Sequence, residues 1–202
     1  MSRPAARHVV LFVRAPRIGA VKRRLAADIG HQAAWAFYRR NVRTVARRLE
    51  RDPRWTLWLA VTPDDFDGRE RFWPQGLPLI AQGRGDLGER MTRALTALPS
   101  GPALLVGGDI PGITAPVVWR AFNRFAGHDA IFGPAGDGGY WLVGLSPQVL
   151  RTDPFRGVAW STPDALNQTV ANLLPGAHIA FADELRDVDS GADMRDGRAA
   201  AQ

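Results

Sequence analysis

Along the chain, short runs of continuous apolar residues alternate with longer stretches in which apolar positions recur every three or four residues. HVVLFV (8–13), WTLWLAV (55–61) and ALLVGGD (103–109) are short and almost uninterrupted, which predicts strands buried on both faces. LIAQ (79–82), DAIFGPA (129–135), GGYWLVGL (138–145) and HIAFA (178–182) predict four more. The helical period predicts helices over 21–49, interrupted or bent at Gly30, and over 86–98. It predicts two more over 115–126, with Pro116 in the first turn, and over 163–173, capped by Ser161 or Thr162. Asp86 and Glu89 have the spacing of a capping box. Residues 62–78 read as a loop with room for a short helix, and 190–200 as a terminal helix with Asp189 placed as its cap.

Strands alternating with helices indicate an α/β fold with a mostly parallel sheet. The length of 202 residues fits one domain, and neither a repeat nor a linker divides it. In such sheets ligands bind beyond the carboxyl ends of the strands, where the strand order switches. That rule points to the loop after HVVLFV, the aspartate ending LLVGGD, and the turns around GPAGDGGY.

Charge sharpens the picture. Residues 1–54 carry 14 Lys and Arg against 3 Asp and Glu, whereas the other 148 residues carry 12 against 17. A basic first quarter on an acidic remainder suggests an anionic ligand near the N-terminus and a metal site later, although a solvated arginine face is the plainer reading for many of these residues. No nucleic-acid module is visible, so nucleic acid is not an expected partner. The chain has no cysteine, which excludes disulfides, thiolate metal sites and a thiol nucleophile. No apolar run approaches a membrane span and no signal-peptide pattern follows Met1, so a cytoplasmic location without membrane attachment is expected.

Lys22 is the only lysine among 26 strongly basic residues. It lies in RAPRIGAVKRRL (14–25), where Pro16 stiffens the strand exit and Gly19 lets backbone approach a ligand. Arg14, Lys22, Arg23 and Arg24 cluster near a helix start, where cations oppose the macrodipole unless an anion sits among them. Phosphate binding and a merely basic helix start are both open. Asp109, in LLVGGDIPG, is either a carboxylate for Mg²⁺ or Mn²⁺ or a cap for the next helix. Asp137, among the glycines of GPAGDGGYWLVG, is either a base or acceptor-binding group or part of an ordinary Asp-Gly turn. In QGRGDLGERM (82–91), Asp86 reads as an N-cap, backbone near Leu87 and Gly88 could line a nucleotide pocket, and Arg90 could reach a phosphate. DVDSGADM (187–194) offers Asp189, or Asp187, as a second carboxylate for a metal held by Asp109.

Taken together, RAPRIGAVKRRL, QGRGDLGERM, GGDIPG, GPAGDGGYWLVGL, WST and DVDSGADM resemble, in order and over nearly the whole chain, the bacterial DUF2064 proteins. These are GT-A-like proteins often labelled glycosyltransferases, within the nucleotide-diphospho-sugar transferase superfamily. The resemblance implies a single-domain, Rossmann-like three-layer α/β sandwich. It implies a metal-dependent glycosyltransferase using a nucleotide sugar and a small-molecule acceptor, with a nucleotidyltransferase acting on an NTP and a non-catalytic nucleotide-binding homologue as alternatives. By the same resemblance Lys22, Asp109 and Asp137 would be catalytic, and Asp109 and Asp189 would hold Mg²⁺ or Mn²⁺. Arg14, Ala15, Pro16, Gly19, Lys22, Arg24, Gly85, Asp86, Gly88 and Arg90 would bind the nucleotide. Gly138, Gly139, Tyr140, Trp160, Ser161 and Thr162 would face the acceptor. This chain departs from the family pattern at Arg14 (usually Lys), Arg23 (usually Thr), Gly136 (usually a carboxylate) and Ser190-Gly191-Ala192 (usually Thr-Pro-Glu). Donor, acceptor, stereochemical outcome and oligomeric state are not readable from the residues.

Overall fold

The computed structural model describes residues 6–65 and 73–194. Seven strands form one sheet: β1 (His8–Arg14), β2 (Thr56–Thr62), β3 (Leu79–Ala81), β4 (Ala103–Gly107), β5 (Ala130–Pro134), β6 (Tyr140–Leu145) and β7 (Ile179–Phe181). Their order is β3-β2-β1-β4-β6-β5-β7, and β6 alone runs antiparallel to its neighbours. The helices are α1 (Arg23–Ile29), α2 (His31–Glu50), α3 (Leu87–Thr96), α4 (Ala115–Phe125), α5 (Pro147–Leu150) and α6 (Ala165–Ala171).

The sheet has a core on each face because successive strand residues point to opposite sides. Val9, Leu11 and Val13 of β1 join Val42, Val45 and Leu49 of α2 and Val118 and Phe122 of α4 in one layer. Val10 of β1 joins Met91 and Ala94 of α3 with Phe132 and Val143 in the other. A strand covered on both sides needs no polar alternation, which is why HVVLFV is continuous. The result is the expected three-layer α/β arrangement.

The helix read over 21–49 is two helices, divided at Gly30, whose φ of 84° is outside the range of a right-handed helix. Asp86 caps α3 with the full reciprocal box to Glu89. Other expectations shift. The fourth strand ends at Gly107, so Asp109 stands beyond it in a turn. It caps nothing, and Thr114 is the N-cap of α4. The N-cap of α6 is Asp164 rather than Ser161 or Thr162, because Ser161 turns the chain left-handed (φ 63°) and Thr162 donates back to the Ala159 carbonyl. The short helix α5 was not anticipated, although Ser146 caps it and Pro147 opens it. Of the expected terminal helix, 191–194 are helical and the rest lies outside the described residues, as does 66–72 of the expected loop. The N-cap of that helical segment is Ser190, not Asp189: the Asp193 N–H donates to Ser190 Oγ, and the Ser190 N–H donates to the Asp193 carboxylate. Asp189 is thereby left available for other partners.

Candidate active site

The carboxyl ends of β1, β2 and β4 open onto a cleft of about 590 Å³. Arg14, Lys22, Arg24, Gln82, Arg90, Asp109, Ser161 and Asp189 are among its lining residues.

The loop leaving β1 is held from beneath by α2. Trp35 Nε1 donates to the Pro16 carbonyl, and the Tyr38 hydroxyl accepts from the Arg14 N–H (3.1 Å) while donating to the Arg14 carbonyl (3.0 Å). One turn on, the buried Asn41 amide donates to the Gly108 carbonyl at 2.9 Å, fixing the turn that presents Asp109. Residues 35, 38 and 41 lie three apart and so share one helix face. Burial, with the Asp109 charge nearby, pushes the Tyr38 phenol well above its ordinary pKa, so it stays a neutral hydrogen-bonding strut. Sequence reasoning missed these residues. Their signal was a tyrosine and an asparagine on an otherwise apolar helix face.

The chain then reaches Lys22 in a left-handed conformation (φ 46°, ψ 51°), immediately before α1. Its side chain is 5% exposed, and its Nζ lies 2.6 Å from Asp189 Oδ1 and 3.1 Å from Asp109 Oδ2. Burial by itself would lower the pKa of this ammonium. The two carboxylates outweigh that and leave it raised, so Lys22 is charged at neutral pH. Arg24 approaches Asp189 more loosely, at 3.8 Å. Burial, then the charges of Asp189 and Asp137 against the pull of Lys22, push Asp187 up to about 6. An acidic rim thus surrounds one buried cation.

The cleft also has a cationic end. Arg90 lies over the Phe12 ring at 5.6 Å and donates to the Oε1 of fully buried Gln82. Gln82 spends its amide protons on the Val13 (3.0 Å) and Ala60 (2.6 Å) carbonyls, so its oxygen is fixed toward Arg90. Desolvation and the neighbouring Arg14 lower the pKa of Arg90. Among the described residues, neither Arg14 nor Arg90 has a carboxylate within ion-pair distance.

The remaining expected residues divide. Arg14, Lys22, Arg24, Arg90, Asp109, Ser161 and Asp189 line the cleft; Ala15, Pro16, Gly19, Gly85, Asp86 and Gly88 do not. The Asp86 carboxylate is committed to its cap. Gly88 faces the core, where an added Cβ would stand 2.4 Å from Phe155 Cβ. Asp137 accepts from the Gly139 N–H at 3.0 Å in an Asp-Gly turn between β5 and β6. Gly138 (φ 84°) lets that turn meet the Pro163 carbonyl, at a distance an added Cβ would close to 2.1 Å. Tyr140 and Trp160 stack edge-on at 6.4 Å with Phe132 and Phe155 behind them, and the Tyr140 hydroxyl faces Thr169. They support the wall from which Ser161 reaches the cleft.

Asp109 and Asp189 both touch one cation of the protein, so the same pair can reach one metal ion. Their hard oxygen donors suit Mg²⁺ or Mn²⁺. Among the described residues no group of three or more His, Cys, Asp or Glu is arranged to hold a metal. Two carboxylates, with water and phosphate completing the shell, fit the usual mode of Mg²⁺.

Similarity to a solved structure that spans most of this chain places it in the nucleotide-diphospho-sugar transferase superfamily, with a GT-A-like fold. The profile of a family described as uncharacterized proteins conserved in bacteria matches residues 44–162, and the chain belongs to that family, DUF2064. A crystal structure from Desulfovibrio desulfuricans G20, provisionally described as a nucleotide-diphospho-sugar transferase, is 31% identical, with a TM-score of 0.81 over 93% of this chain and 84% of that one. Fold similarity extends to a Mycobacterium tuberculosis H37Rv protein solved in complex with manganese (16% identity, TM-score 0.56, 96% and 98% covered). It extends also to the 4-diphosphocytidyl-2C-methyl-D-erythritol synthase of Anaerococcus prevotii DSM 20548 (11% identity, TM-score 0.63, 98% and 96% covered). No curated protein matches the sequence. Among the described residues, no helix is long and apolar enough to cross a membrane.

Proposed function

We propose that this protein is a metal-dependent glycosyltransferase that takes a nucleotide-diphospho sugar and passes the sugar to a small-molecule acceptor. The observation that carries this reading is the convergence of Asp109, Asp189 and Lys22 at the carboxyl edge of the sheet. The D. desulfuricans relative supports it, and the manganese in the mycobacterial fold relative supports the choice of metal.

In this reading Asp109 and Asp189 hold Mg²⁺ or Mn²⁺, which as a Lewis acid would neutralise the diphosphate leaving group. Lys22 donates to phosphate oxygens as a compact charge that can follow them as the bond breaks. Arg14 and Arg24 flank the phosphates. Arg90, aimed by Gln82, faces the nucleoside end, and Leu87 and Phe12 give that end apolar surface. The sugar C1–O bond to the β-phosphate breaks with its electron pair going to phosphate oxygen, and an acceptor oxygen bonds to C1. The acceptor's proton passes to a base on the Ser161 side, for which Asp137 is the candidate. Preorganised cations facing the leaving group stabilise the charge that develops there.

Nucleotidyl transfer from an NTP would use the same carboxylates and lysine, and the fold shared with the Anaerococcus synthase favours it as the second reading. The released product separates the two. With Mn²⁺ and a nucleotide sugar, wild-type protein is expected to release a nucleoside diphosphate, and Asp109→Ala to release none while melting as a folded protein. Pyrophosphate release from an NTP would replace the first reading with the second. Metal-independent turnover would remove both.

A further inference from the structure

Lys22 is deeper than a phosphate-reaching lysine needs to be. Its ammonium lies between Asp109 and Asp189, at 3.1 and 2.6 Å, with 5% of its side chain exposed. Those are the two carboxylates assigned above to the metal, and one point between them cannot hold an ammonium and a divalent ion together. The backbone at Lys22 is also left-handed (φ 46°), a conformation that residues other than glycine adopt at some cost. Neither Asp109 nor Asp189 is sealed: their side chains are 45% and 34% exposed, so an ion can approach from solvent. The flanking segments are anchored without Lys22. Asn41 fixes Gly108, the Gly191 N–H donates to Asp28 at 2.8 Å, and Ser190 and Asp193 cap one another. The ammonium can therefore leave without releasing the loops that carry the carboxylates.

We propose that Lys22 is a resident counter-ion of the metal site, bridging Asp109 and Asp189 until a divalent cation displaces it. This rests on the metal reading of the two aspartates. Metal alone then binds weakly, because it must evict a cation that already neutralises the pair. A nucleoside diphosphate gives the displaced ammonium new anionic partners, so metal and nucleotide strengthen one another's binding by the same factor. The device neutralises two carboxylates, far apart in sequence, before either ligand arrives.

The test is Mn²⁺ binding to the full chain, read from the EPR signal of free Mn²⁺, with and without UDP or GDP. Lys22→Met keeps the aliphatic stem and removes the charge. Lys22→Gln is the second neutral variant should the first fold poorly by thermal melt, and Lys22→Arg keeps a cation. The neutral variants are expected to bind Mn²⁺ alone about tenfold more tightly or better than wild type, with the gain from added nucleoside diphosphate reduced to match. Lys22→Arg is expected to show less of that gain. Mn²⁺ binding that is unchanged or weaker in the neutral variants overturns the exchange and leaves the metal site standing. Absence of Mn²⁺ binding in every protein, even with nucleotide, overturns the metal reading and the exchange with it.

Discussion

At the scale of single residues, the site is an arrangement of paired and unpaired charge. Lys22 is paired twice and buried, whereas Arg14 and Arg90 line the same cleft with no carboxylate within ion-pair distance among the described residues. In the proposed function, that asymmetry is matched by the phosphates of the donor. Lys22→Ala is expected to weaken nucleoside diphosphate binding about tenfold or more, while binding of the bare nucleoside changes far less. Calorimetric titration of both ligands checks this, and equal losses would assign Lys22 to structure. Lys22 and Asp109 could be picked from the sequence because each follows a recognisable buried strand. That Asp189 meets Lys22 across 167 positions was not legible, since nothing local fixes a contact of that range. Gln82, Tyr38 and Asn41 act through buried hydrogen bonds to backbone, which composition and spacing do not reveal.

At the scale of elements, most helices and strands followed from periodicity, and the misses were the short helix α5 and the ends of other elements. Asp86 was legible as a cap because the capping box is a local pattern, confirmed by both of its hydrogen bonds. Asp189 was misread as a cap because Ser190, one residue on, has the same chemistry and wins through its exchange with Asp193. Gly88 is expected among the nucleotide-binding residues, and the space its missing side chain leaves is taken by Phe155 and Trp160. Gly88→Ala is therefore expected to cost about 1–3 kcal/mol through overpacking, measured by denaturant unfolding. Its effect on nucleotide affinity is expected to be small once the folded fraction is accounted for. A large affinity loss in a protein of normal stability would return Gly88 to the site.

At the scale of the molecule, the uneven charge along the chain becomes a cross-connection in space. The basic first quarter supplies Lys22, the acidic remainder supplies Asp109 and Asp189, and the parallel sheet brings them to one edge. The α/β class was legible because strands and helices alternate; the reversed β6 was not, since strand direction leaves no mark on hydrophobic pattern. On the β7 side, Asp183 joins the sheet to α4 by accepting from Arg120 at 2.6 Å and Arg124 at 2.7 Å. Arg120, then Arg124, hold its carboxyl below the usual carboxylate range. A carboxylate with a depressed folded-state pKa contributes stability above its unfolded pKa and loses it as the pH falls through the folded one. Asp183→Asn is expected to cost about 1 kcal/mol near neutral pH, with the gap to wild type closing in strong acid. A gap independent of pH would place the effect in packing rather than charge.

In the proposed function Asp109 and Asp189 hold a divalent ion against the diphosphate of a nucleotide sugar. The most direct measurement is a thermal-stability panel of UDP-, GDP-, ADP- and dTDP-sugars and the four NTPs, each with and without Mn²⁺ or Mg²⁺, on wild type and Asp109→Ala. A ligand at about 100 times its Kd adds about 2.7 kcal/mol, enough to raise the melting temperature by several degrees. Such a rise is expected with one nucleotide sugar, only with metal and only in wild type. A rise that needs no metal, or that survives in Asp109→Ala, would contradict the proposed function.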